Sequence, residues 1–337
     1  MKDKYVVILG AGRGSRMESR DPNHSKVAYP ILGKPLINYV IDACKPLGLK
    51  EVYTVVGYGG KATEAVVKDF SKVVWQKEIL GTGHALMQVK ELEGKEGDVI
   101  VVGGELPLLT PQTLRRVYHK HEKGGNAMTI CTSVLENPTG YGRVIRERGS
   151  YRLLEIVEDA DCDHEQKDIT EVNTGIYILD NKLLQEYLPK LSNKNAKGEF
   201  YLSELVKLYD EAGEKVEAYV LEDAEDVFSV SDRNQLAYAA KVIRKRVNKK
   251  LMLSGVSIED PDTTYISPDV EIEKDTIILP NTTILGNCKI GEANWIGPNS
   301  TLINVSMGND NKVHYSVLQN VKLSSGEEVG PFANIKK

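Results

Sequence analysis

Up to about residue 110, apolar residues fall into short runs separated by stretches with helical spacing. KYVVILG (4–10), EVYTVVGYGG (51–60), KVVW (72–75) and DVIVVGG (98–104) are short, rich in β-branched residues and bounded by glycine or polar residues, which is the pattern of buried strands. Between them, PLINYVIDACKPL (35–47) places Leu36, Tyr39, Val40 and Ala43 on one helical face, and GTGHALMQVKEL (81–92) opens a second helix. Thr110-Pro111 reads as an N-cap followed by proline in the first helical turn. Strands alternating with helices predict a parallel sheet with crossover helices, and such sheets bind ligands beyond the carboxyl ends of their strands. The loops at 10–17, 57–60 and 103–108 are therefore expected to share one rim.

From 126 to 220 the pattern turns mixed: AMTICTSV, GRVIRE, RLLEIVE and EVNTGIYIL read as strands, and the segments after Asn181 and Tyr201 read as helices. Residues 233–253 form one long helical pattern with Leu236, Ala240, Ile243, Val247 and Leu251 on one face. Lys241, Arg244, Lys245, Arg246, Lys249 and Lys250 are expected to form its solvated basic face. The last segment changes period. Ile266, Ile272, Ile278, Ile284, Ile290, Ile296 and Leu302 recur every sixth residue, and Val317, Leu323, Val329 and Ile335 resume the spacing after an irregular stretch. Small or polar residues tend to follow four positions along, at Val270, Thr276, Thr282, Cys288, Asn294 and Ser300. A six-residue period matches the hexapeptide repeat of a parallel β-helix.

Composition narrows the class of protein. In a chain of 337 residues, 41% hydrophobic residues suffice for a substantial core, and the length predicts about two domains. A net charge of −5 gives no global footprint for nucleic acid or an anionic membrane, so any anion site must be local. No run approaches the roughly 18 apolar residues of a membrane span, and the first apolar run is too short for a signal peptide, so a cytoplasmic protein without membrane insertion is expected. Cys44, Cys131, Cys162 and Cys288 show no paired spacing, against a disulfide framework or a zinc site. His119 and His121, and Cys162 with His164, lie in polar stretches that read as solvated faces.

Candidate chemistry concentrates on the predicted rim. In LGAGRGSRM (9–17), Gly10, Gly12 and Gly14 would let backbone approach a phosphate closely, while Arg13 and Arg16 add positive charge. The loop fits neither the dinucleotide fingerprint nor the P-loop, because Ser15 stands where a third glycine belongs and no Gly-Lys-Ser/Thr comes after it. Lys26 lies ten residues beyond Arg16, QKEILGTGHA (76–85) adds a second glycine loop, and Glu105 occupies the third strand end. A carboxylate facing a basic glycine loop is chemically sensible where a divalent cation bridges it to phosphates.

The ordered set G-x-G-x-[ST]-R-M, Lys26, Q-(x)3-LGTGHA, GxxPLL, PTGYGR, IVE, EVNTGIY and GEFYL, followed by the hexapeptide tail, resembles the bifunctional bacterial N-acetylglucosamine-1-phosphate uridyltransferase/glucosamine-1-phosphate acetyltransferases over essentially the whole chain. The resemblance implies an α/β architecture: a Rossmann-like nucleotidyltransferase domain over 1–232, a linking helix over 233–253, and a short left-handed parallel β-helix over 254–337. It implies UTP and N-acetylglucosamine 1-phosphate as substrates, magnesium as cofactor with manganese as substitute, and a homotrimer. By similarity, Leu9, Gly10, Ala11, Gly12 and Gly14 cradle the nucleotide, Gln76, Gly81 and Thr82 read uracil, and Arg16 and Lys26 hold the phosphates. Gly142, Glu158, Asn173 and Tyr201 take the sugar, and positions 105 and 231 bind the metal.

Four positions depart from that pattern. Glu105 replaces an aspartate and Ser231 an asparagine, both at metal positions, while Gly10 replaces alanine and Ser25 proline. One extra methylene adds roughly 1.5 Å of reach, and magnesium tolerates little distortion, so weakened activity is one expectation; a compensating shift of the ion toward residue 231, with water or Asp232 completing the shell, is another. The chain ends after the first coils, where the family's acetyl transfer uses later ones, so no acetyl transfer is expected. A pyrophosphorylase for another sugar phosphate or nucleotide, and a non-catalytic binding relative, remain alternative readings.

Overall fold

A computed structural model describes residues 2–21 and 24–337, and two compact units divide it: residues 1–29 with 35–233, and residues 30–34 with 234–337. The first unit is built on a mixed sheet. Its strands are β1 (Lys4–Gly10), β2 (Glu51–Val56), β3 (Lys72–Trp75), β4 (Asp98–Gly103), β5 (Met128–Val134), β6 (Arg143–Arg146), β7 (Leu153–Val157), β8 (Glu171–Asp180) and β9 (Val216–Leu221). The spatial order is β9-β5-β8-β4-β1-β2-β3, with β6 and β7 forming a hairpin attached to β8. Strands β4, β1, β2 and β3 run parallel, as their alternation with helices predicts, whereas β8 is antiparallel to both β4 and β5.

Helices α1 (Leu36–Cys44), α2 (Gly60–Val67), α3 (Thr82–Met87), α4 (Pro111–Gly124), α5 (Asn181–Tyr187) and α6 (Leu205–Glu211) belong to the same unit. In α1 the buried face is Leu36, Ile37, Val40, Ile41, Ala43 and Cys44, and Tyr39 is only half-buried. The apolar stripe is thus wider than the four residues the spacing singled out, because the helix packs against both the sheet and α4. Thr110 caps α4 by accepting from the Thr113 N–H at 3.2 Å, with Pro111 in its first turn. Register fixes the rim: Leu9 pairs with Gly103 and Gly10 with Val56, so the loops after β1, β2 and β4 leave the sheet at one edge.

At the opposite edge a polar residue is buried where the polar context of YHKHEK predicts a solvated face. His119 is exposed, but His121 is almost fully buried, its Nδ1 3.0 Å from Thr129 Oγ1 and its Nε2 3.6 Å from Asp98. The amphipathic period of α4 explains this: His121 falls on the same face as Leu114, Val117 and Tyr118. Asp98 is also contacted by Lys2 at 3.0 Å and the Tyr118 hydroxyl at 2.9 Å. Burial pushes its carboxyl up, but the His121 ring beside it and the hydrogen bonds from Lys2 and Tyr118 outweigh that and hold the group below the usual aspartate range. Among the described residues all four cysteines are free thiols, and burial pushes Cys44 and Cys131 up to about 12.

In the second unit, the last helix, α7 (Arg233–Leu253), precedes a run of short strands that assemble into three parallel sheets, each taking every third strand in chain order, as a parallel β-helix requires. Ile266, Ile284 and Leu302 stack in one sheet, Ile272 and Ile290 in the second, and Ile278 and Ile296 in the third, all pointing inward. Small polar residues turn the corners: Thr276 Oγ1 accepts from the Asn294 N–H, and Asn294 Oδ1 from the Asn311 N–H one coil later. Two sequence expectations are corrected. Met307 and Val313 fill the irregular stretch, and Leu318, not Val317, is the inward residue that stacks on Leu302, because the side shortens there from six residues to five. Arg244 is not on a solvated basic face: it is buried against Asp262, donating to both its backbone oxygen and its carboxylate, while Lys241, Lys245, Lys249 and Lys250 are exposed.

The Asp98 cluster generates a stability prediction. A carboxyl held below its ordinary range stabilises the fold above the unfolded aspartate pKa and loses that contribution as pH falls through the folded value. Asp98→Asn is expected to destabilise the chain by about 3 kcal/mol near neutrality, and urea titrations of both proteins should show the gap narrowing below about pH 4; a gap independent of pH contradicts this account.

Candidate active site

Backbone geometry at the rim is set by glycine. The loop after β1 turns at Gly14, whose φ of +59° is left-handed, and a Cβ there would lie 2.6 Å from Lys26 Cβ. Lys26 is consequently packed directly over the loop. Gly10 and Ala11 are buried, Gly12 faces open space, and Arg16 is exposed at the loop end. The Leu9 carbonyl accepts from Gly104 N–H at 2.9 Å, which ties the glycine loop to the connection that carries Glu105. A cavity of about 150 Å³ opens beside the loop, lined by Arg13, Gly14, Lys26, Tyr29 and Tyr58 among others.

Glu105 faces that loop. Its Oε2 lies 3.6 Å from Lys26 Nζ, with the two side chains 29% and 15% exposed. The distance is too long for a direct hydrogen bond, and among the described residues no donor bonds either carboxylate oxygen. Its Oε1 folds back to within 2.6 Å of where a Cβ on Gly103 would stand, so the longer side chain fits because position 103 has no side chain. The Glu105 carbonyl accepts from Val230 N–H at 2.9 Å, which brings the neighbouring Ser231, itself buried, alongside. Tyr141, which sequence reasoning passed over in favour of Gly142, belongs to the same cluster. Burial pushes its phenol up, Glu105 adds to that, and a backbone hydrogen bond at Ser229 and the Arg16 charge oppose it.

The remaining candidates form two adjoining groups. Gly142 sits against Glu158, its Cβ position 3.3 Å from Glu158 Oε1, and its carbonyl accepts from Asn173 N–H at 2.8 Å. Burial pushes the Glu158 carboxyl up against the hydrogen bond it accepts from Ser203 Oγ at 2.7 Å. A cavity of about 260 Å³ there is lined by Glu158, Asp161, Asn195, Tyr201 and Ser203 among others. The Tyr201 hydroxyl is buried in it without a well-formed hydrogen bond. Gln76 is buried at the end of β3, and its Nε2 donates to the Gly81 carbonyl at 3.1 Å. Thr82 Oγ1 accepts from Leu202 N–H at 3.0 Å, and Gly83 N–H donates to the Phe200 carbonyl at 2.8 Å. Hydrogen bonds join neighbouring parts of these groups: Tyr58 N–H to the Ala11 carbonyl, the 81–83 loop to residues 200–202, and Ser203 to Glu158.

The donor set fits a magnesium ion of one kind only. Among the described residues no three histidine, cysteine or acidic side chains converge, so a protein-only cage is absent there. A single carboxylate opening onto a basic glycine loop suits an ion whose other ligands are substrate phosphates and water.

A mixed α/β sheet with a basic glycine loop and one carboxylate at the rim of its parallel strands is an architecture suited to nucleotidyl transfer, and residues 6–174 match the MobA-like NTP transferase domain. The chain is 42% identical over 336 residues to the bifunctional protein GlmU of Caldanaerobacter subterraneus subsp. tengcongensis, covering 100% of this chain and 72% of that protein. It is 43% identical over 332 residues to the GlmU of Fervidobacterium nodosum, covering 98% and 71%, and 37% identical over 337 residues to that of Enterococcus faecalis, covering 100% and 73%. The chain belongs to the GlmU family.

Gly81 gives this geometry a direct test. Its φ is +101°, and a Cβ would stand 2.6 Å from the Phe200 carbonyl oxygen. Gly81→Ala is expected to cost about 2 kcal/mol or more in stability, read by chemical denaturation; an unchanged value would show that the 81–83 loop is not clamped as described.

Proposed function

We propose that the chain is a sugar-1-phosphate nucleotidyltransferase that makes UDP-N-acetylglucosamine and pyrophosphate from UTP and N-acetylglucosamine 1-phosphate. The observation that carries this reading is the Glu105 carboxylate opposite Lys26 over the Gly14 turn. A phosphate oxygen of the sugar phosphate attacks the α-phosphorus of UTP, a new P–O bond forms, and the bond to the β-phosphate breaks to release pyrophosphate. No covalent enzyme intermediate is needed, so positioning and charge stabilisation supply the rate. Backbone of the 9–14 loop approaches the triphosphate, and Lys26 and Arg16 meet its charge. Gln76, Gly81 and Thr82 face the base, while Glu158, Asn173, Tyr201 and the side-chain-free Gly142 take the sugar hydroxyls.

Glu105 and Ser231 would hold magnesium, or manganese in its place, which when bound neutralises the charge spread over the phosphates. The fold-back of Glu105 over Gly103 supports compensation for the extra methylene: the carboxylate stays near the strand end instead of reaching further out. Residues 1–232 form the transferase domain in this reading, 233–253 the linking helix, and 254–337 a left-handed β-helix that trimerises in the cytoplasm. Membership of the GlmU family supports each of these, and no helix among the described residues is long and apolar enough to cross a membrane.

Pyrophosphate release measured across several nucleotides and sugar phosphates tests the reading. Release is expected with UTP and N-acetylglucosamine 1-phosphate in magnesium or manganese, and Glu105→Ala is expected to slow it about a hundredfold or more. Release from another pair alone, or a Glu105→Ala variant as fast as the parent, would overturn it.

A further inference from the structure

Gln76 and Gln88 approach the His84 ring from its two nitrogens. Gln76 Nε2 lies 3.0 Å from His84 Nδ1 and donates to the Gly81 carbonyl at 3.1 Å. Gln88 Nε2 lies 3.2 Å from His84 Nε2 and donates to the His84 carbonyl at 3.0 Å. Carbonyl oxygens only accept, so each pins an amide nitrogen toward the ring. A neutral imidazole, however, offers one lone pair and one N–H. It can accept from one glutamine and must donate to the other, so one carboxamide has to turn its oxygen inward.

Burial decides which one turns. Gln76 is 2% exposed, and its backbone N–H is committed to the Val56 carbonyl at 2.8 Å. Turning it would set its oxygen against the Gly81 carbonyl with no water to relieve the contact, at the full cost of an unmatched buried polar group. Gln88 is half-buried and makes the longer ring contact, so water can serve whatever its rotation leaves unpaired. Phe200 holds the ring plane, stacked on His84 with centroids 6.2 Å apart and planes at 29°.

We propose that His84 is a positioning residue for base selection: it accepts from Gln76 at Nδ1 and leaves Gln76 Oε1 as an acceptor-only port that takes the N3–H of uracil and refuses cytosine. Both N–H groups of the Gln76 carboxamide are then spent inside the protein, one on Gly81 and one on His84. Among the described residues no donor bonds Oε1. Uracil presents a donor at N3 and cytosine a lone pair, so the fixed orientation discriminates by the sign of one hydrogen bond. The inference rests on the uridylyl-transfer reading, in which Gln76 faces the base.

Equilibrium binding of UTP, CTP and 5-methyl-UTP to the full chain tests it without depending on turnover. His84→Phe preserves the stack but removes the acceptor, and the UTP-over-CTP affinity ratio is expected to fall at least about tenfold. His84→Asn, whose Oδ1 can stand near the Nδ1 position, is expected to retain most of the ratio. The UTP to 5-methyl-UTP ratio should stay unchanged in both, since both bases carry the N3–H. A wild-type chain that binds UTP and CTP alike would defeat the uridylyl reading itself. A selective wild type whose ratio survives in His84→Phe would defeat the His84 inference alone. Nitrogen-15 NMR of the histidine-labelled wild type gives a second check: an Nε2–H tautomer at His84 is expected, and an Nδ1–H tautomer overturns the inference.

Discussion

The pair that organises the candidate rim is Glu105 facing Lys26 at 3.6 Å across the Gly14 turn. It exists because β1 and β4 are adjacent parallel strands in register, so that the loops beyond Gly10 and Gly103 leave the sheet together. At 3.6 Å the two groups form an ion-pair contact that is too long for a direct hydrogen bond. Backbone bonds tie the loops around this pair together: Gly104 to Leu9, Val230 to Glu105, and Tyr58 to Ala11.

Preorganisation at this rim comes from main-chain contacts more than from side chains. Gly14, Gly81 and Gly142 each leave out a Cβ that would collide with Lys26, Phe200 or the Ile156–Glu158 segment. On the proposed reading, Glu105, Tyr201 and the oxygen of Gln76 would meet ligand from positions already confined before binding, which leaves little conformational freedom to lose and favours catalysis by positioning.

Much of this was legible in the sequence where period and punctuation carry the signal. The strand and helix alternation, the Thr110 cap, the common rim and the inward series from Ile266 to Leu302 come from spacing alone. Legibility failed where a polar residue is buried by a partner distant in the chain. His121 reads as solvent-facing until Asp98 and Thr129 are beside it, and Arg244 until Asp262 is. The shift from Val317 to Leu318 arises from a five-residue side that a strict six-residue count misses. Tyr141 gave no signal because its meaning depends on Ser229, Glu105 and Arg16, which converge only in three dimensions. The same holds for the opposed glutamines around His84.

Electron paramagnetic resonance of manganese binding with and without UTP reads the shared ion itself rather than turnover. The account predicts that UTP tightens manganese binding to the parent chain and that Glu105→Ala abolishes most of this enhancement while UTP still binds. Equal enhancement in the two proteins would contradict it, since the carboxylate at the end of β4 would then take no part in the site.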